Sequence, residues 1–363
     1  MRLALALLLL TPLTLSAQTS GAKPAPRPTT AATAAKRDTT YIDAKGTAHI
    51  TRIVPVPDDL SPQAQRSVSQ AQPDAAPPTP LAKRRSSTDA WQLTARDAWL
   101  KLYPATITNT AIAGVPVRLV EPAHADAALR NDVLLNVHGG GFDSDSGSYT
   151  ETVPIAGMTG VRTVAVLYRL SPEHAFPAAV DDSIAVYKEL LKTHKPTQIV
   201  LYGTSAGAIL TGELASRIKQ LGLPEPAALG IFSGFGDFTR AGDSGYLFTI
   251  SGNGFAGPLA PVHVDQVLTG YVGKTSRRDP VLSPIFSDLH GMPPTLFVTS
   301  TRDILLSGTS NLHRAYLNAG NDARLIVFDG LPHAFWYNSD LPEALEANHD
   351  MAKFFVEQLQ RSH

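Results

Sequence analysis

A serine, an aspartate and a histidine stand in an order that suits acyl-transfer chemistry. Ser205 lies in the motif Gly203-Thr204-Ser205-Ala206-Gly207, and Asp303 and His333 follow it along the chain. A serine hydroxyl becomes an effective nucleophile when a histidine takes its proton and a carboxylate orients that histidine. The order predicts that Ser205 is the nucleophile, His333 the general base and Asp303 the orienting acid.

A second acidic residue competes for the role of Asp303. Asp279 precedes an apolar run at residues 296–299, whereas Asp303 follows that run. In parallel sheets, functional side chains gather beyond the carboxyl ends of the strands. We therefore expect Asp303 to be the acid and keep Asp279 as the weaker alternative. For Asp303 itself, the alternative interpretation is that its side chain only caps a helix.

The serine is predicted to lie at a sharp turn between a strand and a helix. An apolar run at residues 199–202 stops at Gly203, and apolar residues then recur at helical spacing from Leu210 onward. Such a turn brings the strand end and the helix start so close together that Gly203 and Gly207 must lack side chains. The turn would also push the Ser205 hydroxyl clear of the backbone.

A glycine-rich loop follows another predicted strand. The apolar residues 133–137 lead directly into His138-Gly139-Gly140-Gly141-Phe142. Consecutive glycines allow the backbone to turn its N–H groups into a cavity without obstruction by side chains. Together with the Ala206 N–H, these groups predict a binding site for a developing oxyanion. The alternative is an ordinary flexible loop.

Short apolar segments alternate with helical patterns through most of the chain. Strands that are apolar throughout, with helices between them, predict an α/β fold with a mostly parallel central sheet covered on both faces. Helices are predicted after Pro177, over residues 312–317, and near the end of the chain, where Leu345, Met351 and Phe355 recur. The predicted strands are residues 117–120, 133–137, 161–167, 199–202, 229–233, 296–299 and 325–328.

The first 86 residues differ in composition from the remainder. Arg2, the apolar run 3–15 and the small residues Ser16 and Ala17 predict a signal peptide over residues 1–17, and hence export to the periplasm or the medium. An uncleaved anchor is the alternative. Residues 18–86 are rich in Ala, Pro and Thr, which predicts a largely disordered leader in which only residues 41–60 pair weakly or dock.

The folded domain is expected over residues 87–363. A helical stripe that includes Trp91 and Trp99 predicts a cap element near residues 88–104, and the Gly-rich and aromatic stretch 235–275 predicts a second one. The basic run Lys83-Arg84-Arg85 is interpreted as the solvated end of the leader, with a protease site as the alternative.

The composition excludes several functional classes. The 31 basic and 32 acidic side chains give a formal net charge of −1, which does not favour nucleic acid or an anionic membrane as a partner. The absence of Cys excludes disulfides and a thiolate nucleophile. The 11 His show no metal-binding spacing, and the glycine pattern at residues 252–257 is followed by prolines, so we predict neither a metal nor a cofactor.

Three motifs together resemble the hormone-sensitive-lipase-like esterases, also called bacterial family IV. They are His138–Phe142, the segment Tyr168–Asp182 and the elbow Gly203–Gly207, and the resemblance covers roughly residues 88–360. It implies an α/β-hydrolase fold with a cap of N-terminal helices over the site. It also implies that Gly140, Gly141 and Ala206 supply the N–H donors and that His138 and Gly139 shape the loop.

The elbow departs from the larger branch of that family. Thr204 stands before the serine, which places the chain with the Gly-Thr-Ser-Ala-Gly branch and makes it similar to the ε-lactone-hydrolase-type esterases. Ala208 occupies a position where the family commonly has a second glycine. The expectation is an exported hydrolase of small short-acyl esters or lactones. The alternatives are an amide or peptide hydrolase on the same fold and a non-catalytic ligand-binding homologue.

Overall fold

A computed structural model describes residues 39–51, 53–70, 79–252 and 268–361. Contacts between Cα atoms divide the chain into two units, Met1–Pro55 and Val56–His363. In the first unit, β1 (Thr39–Ile42) and β2 (Ala48–Thr51) form an antiparallel hairpin. The predicted signal peptide and the glycine pattern beyond residue 252 lie outside the described residues.

The second unit is built on an eight-stranded sheet with the order β10-β9-β8-β7-β5-β6-β4-β3. Strands β5 to β10 run parallel, whereas β3 and β4 pair antiparallel with each other and β4 pairs antiparallel with β6. The strands are β3 (Ala105–Ile112), β4 (Val115–Pro122), β5 (Val133–Val137), β6 (Arg162–Val166), β7 (Ile199–Thr204), β8 (Ala228–Phe232), β9 (Thr295–Ser300) and β10 (Ala323–Phe328).

The mostly parallel sheet confirms the predicted fold class, and each of the predicted strands is present. Strands β5, β7, β8 and β9 are buried along their whole length, which is why their sequences are apolar throughout. Strand β3 is not predicted by the sequence analysis. Its residues are largely polar and exposed, because β3 is the edge strand of the sheet.

Helices cover both faces of the sheet, as predicted. Helices α4, α5 and α8 pack on one face, and α1, α3 and α9 pack on the other. The helices are α1 (Pro62–Ser69), α2 (Leu81–Leu102), α3 (Thr152–Thr159), α4 (Ala178–Leu190), α5 (Ala206–Gln220), α6 (Ser244–Leu247), α7 (Thr269–Val272), α8 (Leu306–Asn318) and α9 (Pro342–Gln360). Within the described ranges, no helix has an apolar stretch long enough to cross a bilayer.

The ordered chain of the second unit begins earlier than the predicted boundary at residue 87. Helix α1 lies inside the expected leader, and α2 begins at Leu81. Ser61 caps α1 by accepting a hydrogen bond from Ala64 N (3.1 Å), and its own N–H donates to Glu343 on α9 (2.6 Å). Because Leu60 and Ala64 are the buried residues of this segment, its composition alone does not reveal that it packs.

Candidate active site

Ser205 lies at the turn between β7 and α5 with an unusual backbone conformation. Its φ and ψ are 60° and −121°, a region that residues other than glycine rarely occupy. The turn is fixed by a hydrogen bond from Ser205 N to Phe232 O on β8 (2.9 Å). Such strain is typical of functional sites, where the surrounding fold enforces one orientation of a reactive side chain.

The glycines that flank Ser205 allow β5, β7 and α5 to approach closely. A Cβ atom on Gly203 would lie 2.2 Å from the Val137 carbonyl oxygen, and one on Gly207 would lie 1.9 Å from the same atom. Both distances are far shorter than any tolerated contact, so a side chain at either position would push the strand and helix apart. The N-terminus of α5, with the Ala206 N–H, therefore sits directly beside the end of β5.

The glycine-rich loop after β5 turns with left-handed backbone angles. Gly140 and Gly141 have φ values of 118° and 64°, and Phe142 has 62° although it carries a buried aromatic side chain. A Cβ atom on Gly140 would lie 2.1 Å from Ser144 O, so this position requires glycine. Among the described residues, the N–H groups of Gly140, Gly141 and Ala206 have no hydrogen-bond acceptor.

His138 and Gly139 fix the start of this loop. The His138 ring is buried and stacks on Tyr168 with 4.2 Å between ring centroids, and the Tyr168 hydroxyl donates to His138 O (2.6 Å). A Cβ atom on Gly139 would lie 2.8 Å from both Thr204 O and the Tyr337 hydroxyl. The loop is consequently held against the strand that carries the elbow.

Asp303 follows β9 and is completely buried. One carboxylate oxygen accepts from His333 Nδ1 (2.8 Å) and Leu305 N (2.9 Å), and the other accepts from Thr299 Oγ1 (2.8 Å) and the Ser233 hydroxyl. Burial opposes ionisation, but the adjacent His333 and the hydrogen-bond donors outweigh it and hold the pKa of Asp303 below its ordinary value.

His333 is brought to Asp303 by the loop after β10. Because an ionised carboxylate only accepts, Nδ1 carries the proton in this pair and Nε2 of the neutral ring is left as a basic acceptor. Nε2 is buried and has no hydrogen-bond partner among the described residues. Ser205 and His333 line the same cavity but are not hydrogen-bonded to each other, whereas Asp303 and His333 are.

Asp279 lies elsewhere and has a local structural role. Its carboxylate accepts hydrogen bonds from Val281 N (2.9 Å) and Leu282 N (3.1 Å), which closes a turn in its own segment. The structure therefore places Asp303, and not Asp279, beside His333.

The cavity in front of Ser205 has a volume of about 820 Å³. Its floor contains Gly140, Gly141 and His333, and its wall includes side chains from both expected cap regions. Helix α1 contributes as well, through Ser67. The wall residues from these regions are Ser67, Arg84, Trp91, Thr94, Ala95, Ala98, Ile250 and Leu268. The described residues hold no group of three or more His, Asp or Glu arranged to bind a metal ion.

Two arginines of the basic run fasten α2 to the rim of the cavity. Arg84 pairs with Asp143, which follows the glycine-rich loop. Arg85 donates to Asp143 O (2.6 Å) and Ser171 O (2.9 Å) and pairs with Glu173 (2.7 Å), which lowers the pKa of Glu173 to about 2. The run thus lies in the first turns of α2 and is not the solvated end of the leader.

A family model described as the alpha/beta hydrolase fold matches residues 134–337. The chain is 28% identical to an esterase from Acinetobacter venetianus over 271 residues, which are 71% of this chain and 86% of that protein. The crystal structure of an esterase from the bacterial hormone-sensitive lipase family superposes with a TM-score of 0.69 at 25% identity, covering 82% of this chain and 99% of that one. The chain belongs to the hormone-sensitive-lipase-like esterases.

An acetyl-hydrolase from Streptomyces hygroscopicus is a further relative of this esterase. The two are 31% identical over 235 residues, which are 63% of this chain and 75% of that protein. The names of these relatives identify the chain as a carboxylesterase, as its motifs predicted.

The sequence analysis of the esterase missed two hydroxyl groups at the acid. Thr299 and Ser233 both donate to Asp303. Thr299 lies four residues before Asp303, at the end of the same strand, so its hydroxyl could have been predicted as a partner of Asp303. Ser233 directly follows the neighbouring strand β8, 70 residues before Asp303, and no sequence pattern links it to Asp303.

Proposed function

We propose that this carboxylesterase hydrolyses short-acyl esters through a covalent acyl-enzyme on Ser205. His333 acts as the general base, Asp303 orients it, and the N–H groups of Gly140, Gly141 and Ala206 bind the oxyanion. The observation that carries the proposal is the 2.8 Å hydrogen bond from His333 Nδ1 to buried Asp303, with His333 facing the cavity that contains the Ser205 elbow.

The reaction proceeds in two halves. His333 Nε2 takes the Ser205 proton as Oγ attacks the ester carbonyl carbon, and the resulting oxyanion accepts hydrogen bonds from the three N–H groups. The tetrahedral intermediate collapses, and His333 returns the proton to the departing alcohol oxygen. Water then attacks the acyl-enzyme with His333 again as base, and this releases the carboxylic acid and restores the Ser205 hydroxyl.

The low pKa of Asp303 supports its assigned role. An ionised carboxylate keeps the proton of the neutral imidazole on Nδ1, which leaves Nε2 free to accept from Ser205. The same charge stabilises the imidazolium that forms when the Ser205 proton is transferred.

Small uncharged esters are the proposed substrates, with lactones as members of the same class. The similarity to an acetyl-hydrolase supports a short acyl group. The cavity wall is largely aliphatic and aromatic where α2 crosses it, at Trp91, Ala95 and Ala98, and such a wall suits an apolar acyl or alcohol group. Rates on p-nitrophenyl acetate, butyrate and octanoate and on a small lactone would define the preference.

Export is part of the proposal and rests on the sequence of residues 1–17, where a short basic start precedes an apolar core and small residues. Expression of the full chain in a Gram-negative host should release a mature protein that lacks these residues into the periplasm. An intact N-terminus in the cytoplasmic fraction would contradict export.

Ser205→Ala tests the mechanism. The substitution should lower kcat by about 10⁴-fold or more, because the nucleophile is removed and little else changes. A fluorophosphonate should label the wild-type chain on the peptide that contains Ser205 and should not label the variant. Normal turnover by Ser205→Ala, or an adduct on another residue, would overturn the assignment.

A further inference from the structure

Glu151 is a buried carboxylate beside the proposed catalytic residues, and the proposed mechanism does not use it. It directly precedes α3 and accepts four hydrogen bonds. One oxygen accepts from Gly139 N (2.9 Å) and the Tyr337 hydroxyl (2.6 Å). The other accepts from Asn136 Nδ2 (2.8 Å) and Thr204 N (3.2 Å).

Three of these donors belong to the three segments that carry the reacting groups. Gly139 is the residue before Gly140 in the oxyanion loop, and Thr204 is the residue before Ser205. Tyr337 ends the short 3₁₀-helix Phe335–Tyr337, which follows His333. A single carboxylate therefore joins the oxyanion loop, the nucleophile elbow and the histidine loop, which are distant in sequence.

The arrangement of donors suits the ionised form of Glu151. A carboxylate can accept at both oxygens, whereas a protonated carboxyl group must donate at one of them. Thr204 N and Gly139 N can only donate, so each oxygen faces at least one group that cannot accept a proton from Glu151. Protonation would weaken the hydrogen bond to the loop or to the elbow, because the protonated oxygen loses its charge and one of its acceptor positions.

We propose that Glu151 is a positioning residue for ester hydrolysis, whose ionised carboxylate holds the oxyanion donors and Ser205 in register with His333. This inference rests on the function proposed above. Glu151 touches neither substrate nor reacting atoms and acts through the backbone of Gly139 and Thr204. A displacement of about 1 Å between a nucleophile and its oxyanion donors can cost about 10²-fold in rate.

The surroundings of Glu151 make the ionised form sensitive to pH. Burial raises the pKa of Glu151 to about 7, against the lowering effect of the hydrogen bonds from Tyr337, Asn136 and Gly139. The titratable groups that face it are Tyr337, Tyr202 and Tyr168, which stay neutral because burial raises their pKa values, and Asp145, whose charge opposes a second anion. The positioning effect should weaken as pH falls through about 7.

Glu151→Gln is the main test, because glutamine keeps the shape but presents an NH₂ group to one pair of donors. We expect kcat at pH 8 to fall by about 10- to 100-fold, with KM within about threefold of wild type. Glu213→Gln is the matched control. Glu213 is also fully buried, but its hydrogen-bond partner among the described residues is Tyr271 alone, and glutamine can still accept from that hydroxyl. Its kcat should stay within about threefold.

The pH profile separates positioning from general support of the fold. Protonation of Glu151 should add an acidic limb to the wild-type profile: the ratio of the wild-type kcat/KM to that of Glu151→Gln should fall from its value at pH 8 toward 1 as pH drops through about 7. Glutamine does not titrate, so this limb is absent from Glu151→Gln. A structural role alone would lower the melting temperature and leave this ratio independent of pH.

Tyr337→Phe provides a second variant should Glu151→Gln fail to fold. It removes one donor to Glu151 and should lower kcat less than Glu151→Gln while keeping the acidic limb from Glu151. Wild-type kcat in Glu151→Gln, an equal loss in Glu213→Gln, or a ratio of wild-type to Glu151→Gln kcat/KM that does not change with pH would overturn the inference. Ser205→Ala, assayed in parallel, separates the two proposals. If it retains activity the mechanism itself fails, and if it is inactive while Glu151→Gln is normal, only the role of Glu151 fails.

Discussion

Asp303 must remain ionised in a place that solvent does not reach. A buried carboxylate is costly unless donors replace its water shell, and Asp303 receives four, from His333, Leu305, Thr299 and Ser233. Their combined effect is a lowered pKa in spite of complete burial. His333 therefore meets a fixed negative charge on one side and an open cavity on the other.

Asp303→Asn should uncouple this pair. The asparagine amide can donate to Nδ1, which would hold the proton on Nε2 and remove the base that Ser205 needs. We expect kcat on p-nitrophenyl acetate to fall by about 10³- to 10⁴-fold, with the chain still folded by circular dichroism. Asp279→Asn is the control and should change kcat by less than about threefold, since Asp279 only closes a turn. The reverse ranking of the two variants would show that Asp279 is the acid.

Residue order in the sequence was enough to predict that Asp303 meets His333, but not which groups support this pair. Ser205, Asp303 and His333 each follow a strand, and parallel strands bring their carboxyl ends to one edge. Ser233 and Glu151 contact the candidate site through residues that are distant in sequence, so no local sequence pattern indicates their roles. The ion pair between Arg84 and Asp143 is a further contact that the sequence does not predict, because a pair between distant segments leaves no periodic signal.

Among the helices and strands, α1 is the one that the composition of its segment does not indicate. Ser61 anchors it to α9 through Glu343, with 2.6 Å from Ser61 N and 2.9 Å from the hydroxyl, and Ser67 reaches the cavity wall. The strands were predictable because burial on both faces selects continuous apolar runs. Helix α1 was not, because it rests on the surface of the domain through a few contacts and is otherwise exposed.

A pair of truncated chains should show what α1 contributes. A chain that begins at Val56 keeps Leu60 and α1, whereas one that begins at Thr79 loses both. Removal of buried Leu60 alone should lower the free energy of unfolding by about 2 kcal/mol. Because Ser67 is removed from the cavity wall, KM for a p-nitrophenyl ester should rise while kcat stays within about threefold. Urea unfolding and steady-state kinetics would measure the two effects.

The full-length chain and Ser61→Ala serve as controls for the truncations. Ser61→Ala removes the cap and one contact with Glu343 and should cost about 1 kcal/mol with little change in KM. If the chain that begins at Thr79 matches the one that begins at Val56 in stability and in KM, α1 has no role in the fold or the cavity.

Over the whole molecule, the buried acids affect stability in opposite directions. Asp303 has a lowered pKa and stabilises the fold at pH values where it is ionised, and this contribution disappears as pH falls through its folded pKa. Glu151 and Glu213 have raised pKa values because they are buried. Each favours the folded state while protonated and weakens it once ionised. The role inferred for Glu151 thus requires its ionised form, which favours the folded state less than its protonated form does.

The raised pKa of Glu151 predicts how the free energy of unfolding depends on pH. Between about 4.5, the ordinary pKa of Glu151, and about 7, its pKa in the fold, the folded state binds more protons than the unfolded state. Stability of the wild type therefore falls as pH rises through this window, and the contribution of Glu151 levels off above it. A pKa that rises from 4.5 to about 7 on folding corresponds to roughly 3 kcal/mol.

Glu151→Gln should remove that pH dependence, because glutamine does not titrate. The free energy of unfolding of the variant minus that of the wild type, from urea titrations at several pH values, should increase between pH 4.5 and 7 and become constant above. Loss of hydrogen bonds in the variant shifts this difference by a constant and leaves its slope unchanged. If the two proteins gave parallel curves across the window, Glu151 would have an ordinary pKa in the fold. The acidic limb assigned to it in catalysis would then need another source.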